Sequence, residues 1–206
     1  GVISVDDVVD VIDEEAQEDI MHLGGISAED IHADLAITIK QRFPWLMVNL
    51  ITAVIASIVI GLFEDSIEKL AALAVLMPII ASMGGNAGTQ TLTIAVRALA
   101  TKELTPTNAS RVIRKELWVG ALNGIVFAVI AGIVTFMWYD NLLLSILFGA
   151  ATIITLLFAG LSGAIIPIAL EKMGIDPAIA SSVVLTTITD VIAFGAFLGL
   201  AAWVLL

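Results

Sequence analysis

Five apolar runs, each long enough for a helix to cross a bilayer, constrain this chain more than any motif within it. A hydrocarbon core of ~30 Å takes roughly 20 helical residues. Inside it every backbone N–H and C=O must be satisfied within the segment, which admits helices or closed barrels. The runs predict spans at about 45–63, 70–98, 117–138, 142–170 and 178–204. With 59% hydrophobic and 14% charged residues among 206, the chain is too apolar for a water-soluble domain of this length. The expected fold is all-α and integral to the membrane, with five transmembrane helices per subunit.

The charged residues are gathered where the spans are not. Eleven acidic residues precede Trp45, against Lys40 and Arg42, within a formal net charge of −11. Such a segment repels nucleic acid and anionic lipid and attracts divalent cations. Residues 1–23 read as a soluble end-piece, with Val2-Ile3-Ser4-Val5 as a short strand followed by a helix carrying Asp13-Glu14-Glu15. After Gly24-Gly25, residues 27–43 read as an amphipathic helix, with Ile31, Leu35 and Ile39 at helical spacing. Gly1 in place of Met, and an opening with no cleavage pattern, suggest an excised piece of a longer chain without a signal peptide. Placing the N-terminus in the cytoplasm and the C-terminus outside puts Lys40, Arg42, Arg97, Lys102, Arg111, Arg114, Lys115 and Lys172 inside, with Lys69 alone outside. Trp45, Trp118, Trp138, Tyr139 and Trp203 fall at span ends as interfacial anchors. The sequon Asn108-Ala109-Ser110 lies in the cytoplasmic loop of this topology and is read as a chance match.

With no cysteine in the chain, disulfides, thiolate metal sites and cysteine nucleophiles are excluded. What remains is oxygen chemistry. Asp190 lies in the last span between Val184-Leu185 and Val191-Ile192, with Thr186 and Thr187 one turn before it on its face. A carboxylate at the centre of a span costs about 2.5–3.5 kcal/mol on insertion scales, so it marks an ion path or a hydrogen bond to another helix. The second span carries Met83-Gly84-Gly85-Asn86-Ala87-Gly88-Thr89-Gln90 after Pro78. Proline and paired glycines predict a kinked or locally unwound helix with exposed carbonyls, and close helix packing by small residues is the alternative. One carboxylate, neutral oxygens and no intramembrane histidine suit a hard cation that keeps part of its water shell. A homodimer would bring two Asp190 carboxylates to one axis, with Gly195 and Gly199 permitting close approach. Asp176 caps the helix starting at Pro177, and on a second reading joins the acidic 6–34 segment in holding cations at the inner mouth.

These residues resemble those of the MgtE magnesium channels. The resemblance is carried by Val5-Asp6-Asp7-Val8 with Glu18-Asp19-Ile20, Arg42-Phe43-Pro44-Trp45-Leu46, Gly84-Gly85-Asn86-Ala87-Gly88-Thr89-Gln90, Arg97-Ala98-Leu99-Ala100-Thr101, Gly174-Ile175-Asp176-Pro177-Ala178, and Thr186-Thr187 with Asp190-Val191. It implies a homodimer whose second and fifth spans line a pore for hydrated Mg2+ in the cell membrane. By the resemblance the ion would be held by Asp190 with Asn86 beside it, and the residues themselves add Gly85, Thr89, Thr186, Thr187 and Asp176 as candidate oxygens along the path. It implies that residues 1–25 are the tail of a cytoplasmic cystathionine-β-synthase-type regulatory domain, 26–43 a plug helix and 44–206 the pore domain. The regulatory domains, through which Mg2+ would also gate the pore, are missing partners here. The ligand set leaves Mn2+, Co2+ and Ni2+ open as cargo. A proton- or sodium-coupled secondary transporter working through Asp190 is the competing function. An intramembrane aspartyl protease would need a second catalytic acid in a facing span, so no enzyme is expected.

Overall fold

The computed structural model describes Val5, Val8, Val11, Met21, His22 and residues 34–205. Most of the described residues are helical, the rest lie in turns and short connections, and none is in a strand. Val5 is helical, which corrects the short strand expected over 2–5 at the one residue of that run described. The rest of the expected end-piece, and the plug helix before residue 34, lie outside the described residues.

Six helices follow: α1 (Leu35–Gly61), α2 (Glu64–Lys69), α3 (Ala72–Ala100), α4 (Ala109–Tyr139), α5 (Leu142–Lys172) and α6 (Pro177–Leu205). All but α2 are long and apolar enough to cross a membrane. The expected spans coincide with α3, α5 and α6 to within two residues at each end. Two starts differ. α1 runs unbroken through Pro44, ten residues before the expected beginning of span one, because proline at that point removes a single backbone bond and the apolar residues continue on both sides. α4 begins eight residues before the expected 117, since Arg111, Arg114, Lys115 and Glu116 extend the helix as a polar first third.

Turn chemistry fixes the joints between spans. Asn108 accepts from the Thr105 N–H at 2.8 Å and donates Nδ2 to the Glu103 carbonyl at 2.8 Å, so both ends of its amide are used within the 101–108 loop. That accounts for the sequon as a loop staple. Asp140 takes the left-handed conformation after α4, and Asn141 caps α5 by accepting from the Leu144 N–H at 3.0 Å. α2 carries Glu64 and Asp65 at its start and Lys69 at its end, matching charge to the helix dipole.

α5 is the central helix, packed against α3, α4 and α6, and α3 also packs on α6. The core joins Leu73, Leu76 and Ile80 of α3 to Phe148 and Ala151 of α5 and Ala193, Phe197 and Leu198 of α6. Phe148 and Phe197 meet edge to face with centroids 5.1 Å apart. α1 packs chiefly on α6 and buries only Ala56.

At the level of Gly88 and Gly163 the joint between α3 and α5 is made by backbone. A Cβ on Gly163 would stand 2.6 Å from the Gly88 carbonyl oxygen and 2.9 Å from the Thr91 Cβ. Gly163→Val therefore forces α5 away from α3. Overpacking of this kind costs about 1–3 kcal/mol. The expected outcome is a lower thermal unfolding midpoint in detergent for Gly163→Val, with Gly85→Ala, whose Cβ meets nothing within 4 Å, staying near the parent value.

Candidate functional site

α3 and α6 define the site through two contacts. A Cβ on Gly84 would lie 3.7 Å from the Thr189 Cβ, and one on Gly88 would lie 3.0 Å from Leu185 Cδ1. Four residues forward on α3 match four residues back on α6, so the helices run antiparallel. Each residue of an α-helix turns its side chain by 100°. Between antiparallel helices, one step past the contact residue on either partner swings the side chain to the same side of the seam. Gly85 and Thr89 on α3 share that side with Thr186 and Asp190 on α6. By the same register, Asp190 stands level with Met83 and Thr186 with Ala87. Helical rise then spaces Asp190, Gly85, Thr186 and Thr89 at ~3 Å intervals along the seam.

The chemistry of this row is that of oxygen acceptors. Thr89 Oγ1 donates to the Gly85 carbonyl at 2.8 Å, and Thr186 Oγ1 donates to the Ser182 carbonyl at 2.9 Å. Each hydroxyl spends its proton on its own helix and leaves its lone pairs outward. Thr89 and Thr186 are exposed and Asp190 is half-buried. Among the described residues, nothing donates a hydrogen bond to the Asp190 carboxylate or pairs with it. Nor do three His, Asp or Glu side chains among them converge on one point. Asp190 is a lone carboxylate on a seam of neutral oxygens.

The other candidates fall elsewhere. Asn86 and Thr187 lie two residues past the contact positions and are turned away from the seam. Asn86 Nδ2 donates to Ser82 Oγ at 3.3 Å, and Thr187 Oγ1 to the Val183 carbonyl at 2.8 Å. Asp176 caps α6, accepting from the Ala178 N–H at 2.8 Å. It borders a cleft shared with Glu171, Val96 and Leu99, fourteen residues and ~21 Å of helix from Asp190. The acidic segment expected beside it lies outside the described residues apart from Asp34.

Two expectations are corrected. α3 is helical throughout Ala72–Ala100, without the unwinding expected after Pro78, because Gly84 and Gly88 spend their missing side chains on contact with α5 and α6. Gly195 and Gly199 face Val59 of α1 and Phe63 in the turn after it, at 4.0 and 3.8 Å from an added Cβ, and so pack within the chain.

One residue escaped the sequence reading. Glu116 is buried, 7% exposed, where its carboxylate Oε2 accepts from Thr91 Oγ1 at 3.0 Å. The signal was present in Gly120 and Gly160: a Cβ on Gly160 would meet the Glu116 carbonyl at 3.0 Å, so small residues admit α4 to the bundle at this level. Thr91 sits two residues from Thr89, so this bond ties the rotation of the oxygen row to α4.

The family model for MgtE, a divalent cation transporter family, matches residues 77–200, more than half of the chain. The chain belongs to the MgtE family. The matched region contains every residue of the α3–α6 row. The chain is also similar to the magnesium transporter MgtE of Bacillus subtilis strain 168, 36% identical over 203 residues, covering 98% of this chain and 45% of that protein. Enterococcus faecalis has a magnesium transporter MgtE that is 36% identical over 190 residues, covering 92% and 42%. The magnesium transporter MgtE of Thermus thermophilus is 35% identical over 205 residues, covering 98% and 45%. The chain thus spans less than half the length of these MgtE relatives. The MgtE family is one of transporters and not of enzymes.

Removing either partner of the Thr91–Glu116 bond leaves a buried polar group unsatisfied, at a cost of about 1–3 kcal/mol. Thr91→Val and Glu116→Ala should each lower the unfolding midpoint in detergent. Glu116→Gln keeps a carbonyl acceptor for Thr91 and should lie between them and the parent.

Proposed function

We propose that this chain is the membrane pore of a magnesium channel, carrying hydrated Mg2+ along the α3–α6 oxygen row of a homodimer. The observation that carries the reading is the unpaired Asp190 carboxylate beside Gly85, Thr186 and Thr89. An isolated charge at this depth is stable only against water or a cation. Magnesium sheds its waters reluctantly, so a lining that accepts hydrogen bonds from coordinated water suits it better than a cage of carboxylates. Two copies supply two Asp190 charges and balance the +2 ion. The three similar MgtE proteins are magnesium transporters by name, which agrees with this cargo. The same oxygen chemistry admits Mn2+, Co2+ and Ni2+.

The distribution of Lys and Arg supports an N-terminus in the cytoplasm and a C-terminus outside, in the cell membrane. Residues 1–25 and 26–43 are assigned as regulatory-domain tail and plug helix. The further length of the MgtE relatives leaves room for cytoplasmic domains as partners, with Asp176 near the inner mouth as a point of contact for regulatory Mg2+. A coupled transporter would place its substrate at discontinuous helices. The unbroken α3 and α6 favour a channel instead.

The test is Mg2+ flux into liposomes reconstituted with the chain, with magnesium and proton gradients imposed separately. Parent flux is expected to follow the magnesium potential, to vanish in Asp190→Ala and to fall by at least about tenfold in Asp190→Asn, a ~1.4 kcal/mol effect. Flux that tracks the proton gradient, or that survives Asp190→Ala, would overturn the channel reading.

A further inference from the structure

Three carboxamides inside the spans are left without partners among the described residues, Asn49 on α1, Gln90 on α3 and Asn123 on α4, and the first two stand at nearly one depth. Asn49 on α1 and Gln90 on α3 are both exposed, and among the described residues neither side chain takes part in a hydrogen bond. Their depths can be compared through α6. α1 runs parallel to α6, since Val59 lies against Gly195 and Phe63, two residues past the end of α1, against Gly199. Carried back along both helices, that register sets Asn49 level with Leu185. Leu185 in turn packs on Gly88. Asn49 therefore stands level with Gly88, and Gln90 lies two residues, or ~3 Å of rise, away. Leu185 is eight residues into α6, so Asn49 stands ~12 Å and Gln90 ~9 Å inside the helix start at Pro177.

An amide left bare in hydrocarbon costs several kcal/mol, and side chains of this kind hydrogen-bond across helices in membranes. The two cannot satisfy each other within one chain. α1 packs chiefly on α6 and makes no comparable contact with α3. Gln90, two residues past Gly88, lies on the flank of α3 that faces away from α6. That flank adjoins the oxygen row on the same helix, so it continues the face that the proposed dimer would cover.

We propose that the inner half of α1 docks on the outer flank of α3 of a second copy, with Asn49 of one copy bonded to Gln90 of the other. This rests on the homodimeric reading above. Two-fold symmetry makes the contact twice, and each amide has both a donor and an acceptor to offer its partner. α1 then serves as a strap that holds the two halves of the pore together from outside the row.

The absence of cysteine makes the test direct. Differently tagged copies carrying Asn49→Cys and Gln90→Cys are co-expressed, and membranes are treated with a short bis-methanethiosulfonate, with native mass spectrometry of the untreated parent in parallel. The expected result is a covalent dimer joining the two tags, absent when either variant is expressed alone. A dimeric parent without that product overturns the α1–α3 contact and leaves the homodimer standing. Efficient cross-linking of Asn49→Cys to itself places α1 against α1 and also overturns it. A monomeric parent overturns both this contact and the homodimer.

Discussion

The close approach of α3 to α5 and α6 across glycines is the constraint on which the rest of the arrangement depends. In lipid the hydrophobic effect does not drive helices together, so packing has to come from van der Waals contact at short range. Gly88 and Gly163 bring backbone against backbone, and Gly84 admits the Thr155 methyl, which would stand 2.7 Å from an added Cβ. Because these contacts occur at fixed residues, they set the rotation and register of α3. Rotation decides which side chains border α6. The same glycines that close the interface therefore turn Thr89 and Gly85 toward Asp190, and Asn86 and Gln90 away from it.

A second consequence concerns which polar atoms remain available. Threonines within these helices direct their protons to the carbonyl four residues before, as Thr89, Thr93 and Thr186 all do. That habit meets the hydrogen-bond requirement of a membrane helix locally and leaves an acceptor surface. On α3 Thr91 departs from this, since it donates to Glu116 on another helix. Its bond belongs to the buried side of α3, where it fixes the helix, while its neighbours face the seam. One face of α3 is structural and the next is open, separated by single residue steps.

Much of this was legible in the sequence because lipid writes a strong pattern. The five spans follow from apolar length alone, and Asp190 and the oxygens of α3 stand out against that background. The misreadings share one cause. Local sequence does not say what a small residue will touch. Gly84 and Gly88 after Pro78 carry the same letters whether the helix unwinds or packs, and Gly195 and Gly199 the same spacing whether they meet a second copy or α1. Glu116 was missed for a related reason. In the run Arg114-Lys115-Glu116 it reads as one more interfacial charge, and only the tertiary position of Gly160 and Thr91 turns it inward. The row itself was partly legible, since i and i+4 spacing joins Thr186 to Asp190, but pairing it with Gly85 and Thr89 required the register of two helices about 100 residues apart.

What the single chain leaves uncovered is as ordered as what it buries. The apolar residues on the outside of α1 and α4 are at ease in lipid, so their exposure asks for nothing further. Exposed polar groups on α3 and α6 are different, because in hydrocarbon the Asp190 carboxylate and the Gln90 amide would go unpaired and the threonine lone pairs would face no donor. They gather on the two helices whose mutual register is fixed by glycine and at Asn49 on the same level of α1, with Asn123 of α4 exposed besides. A bundle that hides its threonines elsewhere, burying Thr135, Thr152 and Thr189 almost completely, does not leave such a face open by neglect. Water, a cation or a second copy has to complete it. In the proposed pore all three do so, with the cation and its water along the row and the second copy enclosing them.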